Sequence, residues 1–134
     1  MSRRKARVVA VQYIYAYEFG TSENPFAFMD FVGHPKKEND RIFCKKLIDG
    51  TIENLEIIDR LIKKYATKGD DIMAIIDKCI LRVGIYELLF ENQAHPVVVI
   101  NEYVNISKEL STPSGKALIN AILDRVLKGE KNER

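Results

Sequence analysis

The chain has 134 residues, long enough for one domain with a hydrophobic core. Its 46% apolar and 30% charged residues exclude an intrinsically disordered chain. A formal net charge of +2 excludes a globally basic nucleic-acid binder, so any such role rests on where the charge sits.

No apolar run approaches the roughly 20 residues that span a bilayer, and no signal peptide is expected at the basic start. Cys44 and Cys79 lie far apart within apolar patterns, which predicts buried, reduced thiols and a cytoplasmic protein. His34 and His95 do not stand at metal-ligand spacing, and no metal or cofactor is expected.

Helical periodicity dominates. From Arg3 to Phe19, the residues Ala6, Val9, Ala10, Tyr13 and Tyr17 share one face, and Gly20 is a natural stop. Asn24-Pro25 is an N-cap followed by proline at the first helical position, so a short second helix runs to about Gly33. Asn39 or Asp40 opens a long stretch to about Lys68. Its apolar face is Ile42, Phe43, Leu47, Ile48, Ile52, Leu55, Ile58, Leu61 and Ile62. Gly50 costs about 1 kcal/mol relative to alanine there and predicts a bend or break.

Gly69-Asp70-Asp71 ends that stretch and caps the next. The segment from about Ile75 to Glu91 is apolar nearly all round, which places it at the centre of the fold. Arg82 interrupts it and needs a carboxylate, with Glu102 or Glu87 the natural candidates. Pro96 opens a segment to Leu110. Val97-Val98-Val99-Ile100 alone suits a strand, but Val99, Tyr103, Ile106 and Leu110 continue at helical spacing. A last helix runs from about Ser114 to Leu127. The expected fold is therefore all-α, with about seven helices.

Catalytic motifs are missing. Ser114-Gly115-Lys116 lacks the upstream glycine of a P-loop, and no nucleophile elbow, HExxH or CxxC is present. Asp70 and Asp71 read as helix caps rather than as a metal pair, and Glu102 and Glu109 as a solvated face. No enzymatic activity is expected.

The N-terminus stands out. Arg3, Arg4, Lys5 and Arg7 fall within five residues, and no acid appears before Glu18. On a helical wheel Arg4, Arg7, Val11 and Tyr15 form a stripe away from the apolar face. Guanidinium groups bind phosphates bidentately, and an exposed ring gives an unpaired base a stacking surface. Composition alone leaves two readings of equal weight, a solvated helix end and an RNA-contacting stripe.

The opening Arg3-Arg4-Lys5-Ala6-Arg7, continuing to Gln12-Tyr13-Ile14-Tyr15, resembles the arginine-rich first helix of the NusB family of bacterial transcription antitermination factors. So do the block Ile80-Leu81-Arg82-Val83-Gly84-Ile85-Tyr86-Glu87-Leu88, the following Pro96 and Val99-Ile100-Asn101-Glu102, and the terminal Ile119-Asn120-Ala121-Ile122-Leu123-Asp124. The three blocks stand in the family's order and spacing.

The resemblance implies two small perpendicular helical subdomains, about 1–68 and 69–134. It implies binding to the box A element of ribosomal RNA leaders and a heterodimer with NusE, a small-subunit ribosomal protein. That pair loads onto the RNA polymerase elongation complex with other Nus factors. The RNA-contacting positions carry over to Arg3, Arg4, Lys5, Arg7 and Tyr15. Lys116 is expected to supply a phosphate contact beside Ser114. Leu118 stands where the family commonly has an RNA-contacting phenylalanine, and Ala121 replaces a usual glycine. Asp77 matches an acidic position that faces NusE, whose basic character suits a carboxylate. The competing expectation is an RNA-targeting module like the N-terminal domain of ribosomal RNA cytosine methyltransferases. The chain, ending at Arg134, is expected to lack their catalytic domain. A purely structural helical scaffold would have no RNA affinity.

Overall fold

The computed structural model describes residues 2–67 and 72–131. Within them the chain forms seven α-helices and no strand: α1 Ser2–Glu18, α2 Pro25–Val32, α3 Glu38–Glu53, α4 Leu55–Tyr65, α5 Ile75–Tyr86, α6 Pro96–Leu110 and α7 Pro113–Lys131. A π-helical turn, Glu87–Glu91, extends α5. The expected cap at Gly69-Asp70-Asp71 lies outside the described residues. None of the described helices is long and apolar enough to cross a membrane.

Local chemistry sets the ends. Asn24 accepts from the amides of Phe26 and Ala27 at the start of α2, and Gly33 closes that helix at φ 82°. His95 caps α6 through Nδ1, which accepts from the Val97 amide at 3.1 Å, with Pro96 at the first helical position. The valine run is therefore helical, as the spacing of Val99, Tyr103 and Ile106 requires; all three are buried.

Gly50 does not bend the long stretch. α3 runs through it and stops at Asn54, whose backbone and side-chain amides both donate to the Gly50 carbonyl, at 3.1 and 2.8 Å. A side-chain amide that competes for a helix carbonyl ends a helix more readily than a glycine does. Gly50 instead gives room. The Tyr86 ring of α5 occupies the space that a Cβ would take.

The buried side chains form one cluster fed by every helix. α5 is central, packed against α1, α3, α4, α6 and α7, and every residue from Cys79 to Tyr86 is buried. Both cysteines are buried and unpaired in disulfides. Burial pushes the Cys44 thiol up to about 12 and the Cys79 thiol to about 11.

Two expectations for α1 are corrected. Val11, placed on an outer stripe, is fully buried, and Tyr17, placed inward, is 38% exposed. α1 lies against α3 on one side and α5 on another, so its buried surface is wider than a single face.

Candidate nucleic-acid interface

The basic start of α1 meets carboxylates that arrive from far along the chain. Arg7 is buried. Its Nε donates to Glu87 Oε1 at 2.7 Å and its Nη2 to Oε2 at 2.6 Å. Tyr103 of α6 donates its hydroxyl to the same Oε1 at 2.8 Å. Burial alone lowers the Arg7 pKa, and the two-pronged bond to Glu87 more than offsets it. Burial first, and then the Glu87 charge, hold the Tyr103 phenol well above its ordinary value. The expectation that Arg7 faces solvent is thus corrected: it is an internal strut joining α1 to the π turn and α6.

Arg4 sits one turn earlier and further out. Its Nε and Nη2 donate to the two oxygens of Glu102, both at 3.2 Å. These bonds raise its pKa. Glu102 also lies 3.7 Å from Arg7 Nη1, so it is a bridging carboxylate and not part of a solvated face. Arg82 pairs with neither expected acid. Asp59 of α4 takes its Nε and Nη2 at 2.8 and 3.0 Å, and Glu18 takes Nη1 at 2.6 Å.

What remains displayed at this end is smaller than the run of four cations. Arg3 is half-exposed, with its guanidinium 4.1 Å above the Phe43 ring and 3.9 Å from Asp40. Lys5 is exposed and makes no ion pair among the described residues. About 15 Å along the helix axis, at 1.5 Å per residue, stands Tyr15. It is 40% exposed, with the Phe19 ring 5.0 Å away at a 57° tilt. Arg3, Lys5 and Tyr15 thus lie on α1 with accessible side chains.

The α7 residues are placed apart from one another. Lys116 is exposed and lines a shallow cavity with Lys108, Ser111 and Thr112. Leu118 is half-buried, lining a cavity of about 350 Å³ with Met73, Ala121 and Arg125. Asp77 offers no free carboxylate at the surface. It is 5% exposed, accepts from the Ser111 hydroxyl, and lies under Gly115, where a Cβ would come 2.7–2.8 Å from its oxygens. It anchors the turn between α6 and α7 and is not the exposed carboxylate that the expected partner contact assumes.

The sequence offers Glu87 and Glu102 as partners of Arg82; the structure gives them to Arg7 and Arg4, and the acids that hold Arg82, Asp59 and Glu18, are the residues missed. An acid inside the apolar run Ile80–Phe90 was a signal of a buried cation partner. The run itself does not say which arginine supplies it.

The NusB family model matches residues 4–128. A transcription antitermination protein NusB from Thermodesulfovibrio yellowstonii is 39% identical, over 97% of this chain and 94% of its own length. The structure resembles that of T. maritima NusB, with a TM-score of 0.83 and 29% identity over 96% of this chain and 92% of that one. It equally resembles a chain in the crystal structure of the antitermination factors NusB and NusE in complex with dsRNA. There the TM-score is 0.83, with 25% identity over 96% of this chain and 97% of that one. On a family-model match over residues 4–128 and a relative 39% identical over 97% of the chain, the chain belongs to the NusB family.

Proposed function

We propose that this protein is an RNA-binding transcription antitermination factor of the bacterial cytoplasm. It binds the box A element of ribosomal RNA leader transcripts as a heterodimer with NusE. The pair then acts with RNA polymerase and other Nus factors. The observation that carries this reading is the likeness, over 96% of the chain, to a protein crystallised with NusE and dsRNA.

In this reading Arg3 and Lys5 contact phosphates, Lys116 adds a contact from α7, and Tyr15 stacks on an unpaired base. Leu118 offers an apolar edge without a ring. Three dispersed cations make a small electrostatic footprint, so the chain alone binds RNA weakly and NusE supplies the rest.

The test is a fluorescence anisotropy titration of labelled box A RNA against the protein, with and without purified NusE. Tighter binding with NusE is expected, and Tyr15→Ala should weaken binding about 5- to 150-fold with little change in melting temperature. Tyr15→Phe should keep the stacking. Absence of any RNA binding, alone or with NusE, would overturn the reading.

A further inference from the structure

We propose that Glu102 restrains RNA binding by holding Arg4, its carboxylate filling the guanidinium edge that a backbone phosphate would otherwise take. The proposal rests on the RNA-binding reading above and concerns how strongly that site engages.

Arg4, Arg7, Glu87 and Glu102 form a set with no net charge. Its inner half is closed. The Arg7 and Glu87 side chains are 7% and 2% exposed, and their bonds are short. Its outer half is open. The Arg4 and Glu102 side chains are 41% and 20% exposed, and both of their bonds are 3.2 Å long. A part-exposed pair with bonds of this length is held less firmly than the inner one, whose bonds are 2.6 and 2.7 Å.

A phosphate presents the same two-oxygen face to arginine that a carboxylate does. Glu102 therefore occupies Arg4 in the way an RNA phosphate would. Its release leaves the carboxylate in reach of water, at 20% exposure, and 3.7 Å from Arg7 Nη1, so it is not left buried without a partner. Arg4 is thus a reserve cation. It stays silent toward diffuse nucleic acid and is recruited only where a phosphate is held close enough to displace the carboxylate.

The experiment compares wild type, Glu102→Gln, Arg4→Ala and the double variant for binding to a labelled single-stranded RNA across a range of salt. One additional phosphate contact on a single strand steepens log K against log salt by about 0.7. Glu102→Gln should therefore bind more tightly than wild type, by about fivefold more at 0.1 M than at 1 M salt. In the Arg4→Ala background the same substitution should leave the slope unchanged. A merely structural Glu102 would lower the melting temperature without steepening the slope, and that result overturns the proposal.

The Glu102→Gln protein gives an independent reading. Its Arg4 Nε–H resonance, assigned by its loss on adding Arg4→Lys, should shift on saturation with RNA further than the wild-type resonance does, and equal shifts also overturn the proposal. Failure of wild type to bind RNA both alone and with NusE would defeat the functional reading itself. Normal binding with an unchanged Glu102→Gln slope defeats only this inference.

Discussion

Arg7 separates two accounts of the first helix, because as an RNA contact and as a strut it predicts different losses. Arg7→Ala leaves Glu87 with its charge, a side chain 2% exposed, and the Tyr103 hydroxyl as its remaining partner. Removing one member of a buried, doubly bonded ion pair costs about 3–5 kcal/mol, because the stranded charge stays desolvated. Against a typical total of about 5–15 kcal/mol that is a large share. For a domain of this size it lowers the melting temperature by roughly 10–18 °C. Replacing the whole set by apolar groups of similar volume, as in Arg7→Met/Glu87→Leu/Tyr103→Phe, strands nothing and should recover most of the loss. Urea and thermal unfolding followed by circular dichroism measure both. The RNA assay completes the comparison, run at a temperature where each variant is folded. Arg7→Ala should leave the salt slope near the wild-type value, whereas Arg3→Ala/Lys5→Ala should keep stability and flatten the slope by about 1.4, two phosphates at about 0.7 each. An Arg7→Ala protein of wild-type stability with a flattened slope would refute the strut and restore Arg7 as an RNA contact.

Gly50→Ala drives a methyl group into the Tyr86 ring and should cost about 1–3 kcal/mol by urea unfolding. A neutral result would mean that α3 and α5 are not held so closely. Leu81→Ala or Ile85→Ala should cost about 2–5 kcal/mol, while Val97→Ala, at a position 55% exposed, should cost under about 0.5 kcal/mol. Equal losses at Val97 and Ile85 would mean that α6 is turned the wrong way. Both thiols titrate higher in the fold, near 12 and 11, than the roughly 8.5 of a free cysteine. Above about pH 8.5 the unfolded chain therefore binds fewer protons than the native one. The thiols' contribution to stability is full below that pH and declines as pH rises toward 11. Native protein at pH 8 should resist iodoacetamide until urea exposes the thiols, and rapid labelling of folded protein would contradict their burial.

The parts of the fold that were legible are those written in neighbouring residues. Asn24-Pro25 and His95-Pro96 announce helix starts because cap and proline act within one turn. The nearly unbroken apolar surface of α5 announced its central place, since such a helix has no face to give to water. Gly50 was misread because a glycine looks the same whether it bends a helix or makes room for a ring. Only Tyr86, 36 positions later in the sequence, decides which. Arg82 was recognised as needing a carboxylate, but three arginines and four acids can be matched in several ways. Periodicity places a residue on a face without choosing between partners that reach it from other helices.

The basic run on α1 was the hardest element to read, and the reason is physical. A helical wheel assigns one buried face and treats the remainder as exposed. α1 packs against both α3 and α5, and its buried arc takes in Val11 and Arg7 along with the expected side. Once an arginine falls inside that arc, the cost of desolvating it requires a carboxylate, and the carboxylate cancels the charge that made the run conspicuous. Counting cations along a sequence therefore overstates the field that a packed helix projects. Here Glu87 cancels Arg7 internally and Glu102 offsets Arg4 at the rim, which leaves Arg3 and Lys5 as the displayed charge of that turn. The same packing positions Arg3, whose guanidinium shares the Phe43 ring with that of Arg7. Arg3 lies over Phe43 because Arg7 holds this end of α1 to the π turn and α6, so the strut shapes the basic surface without belonging to it.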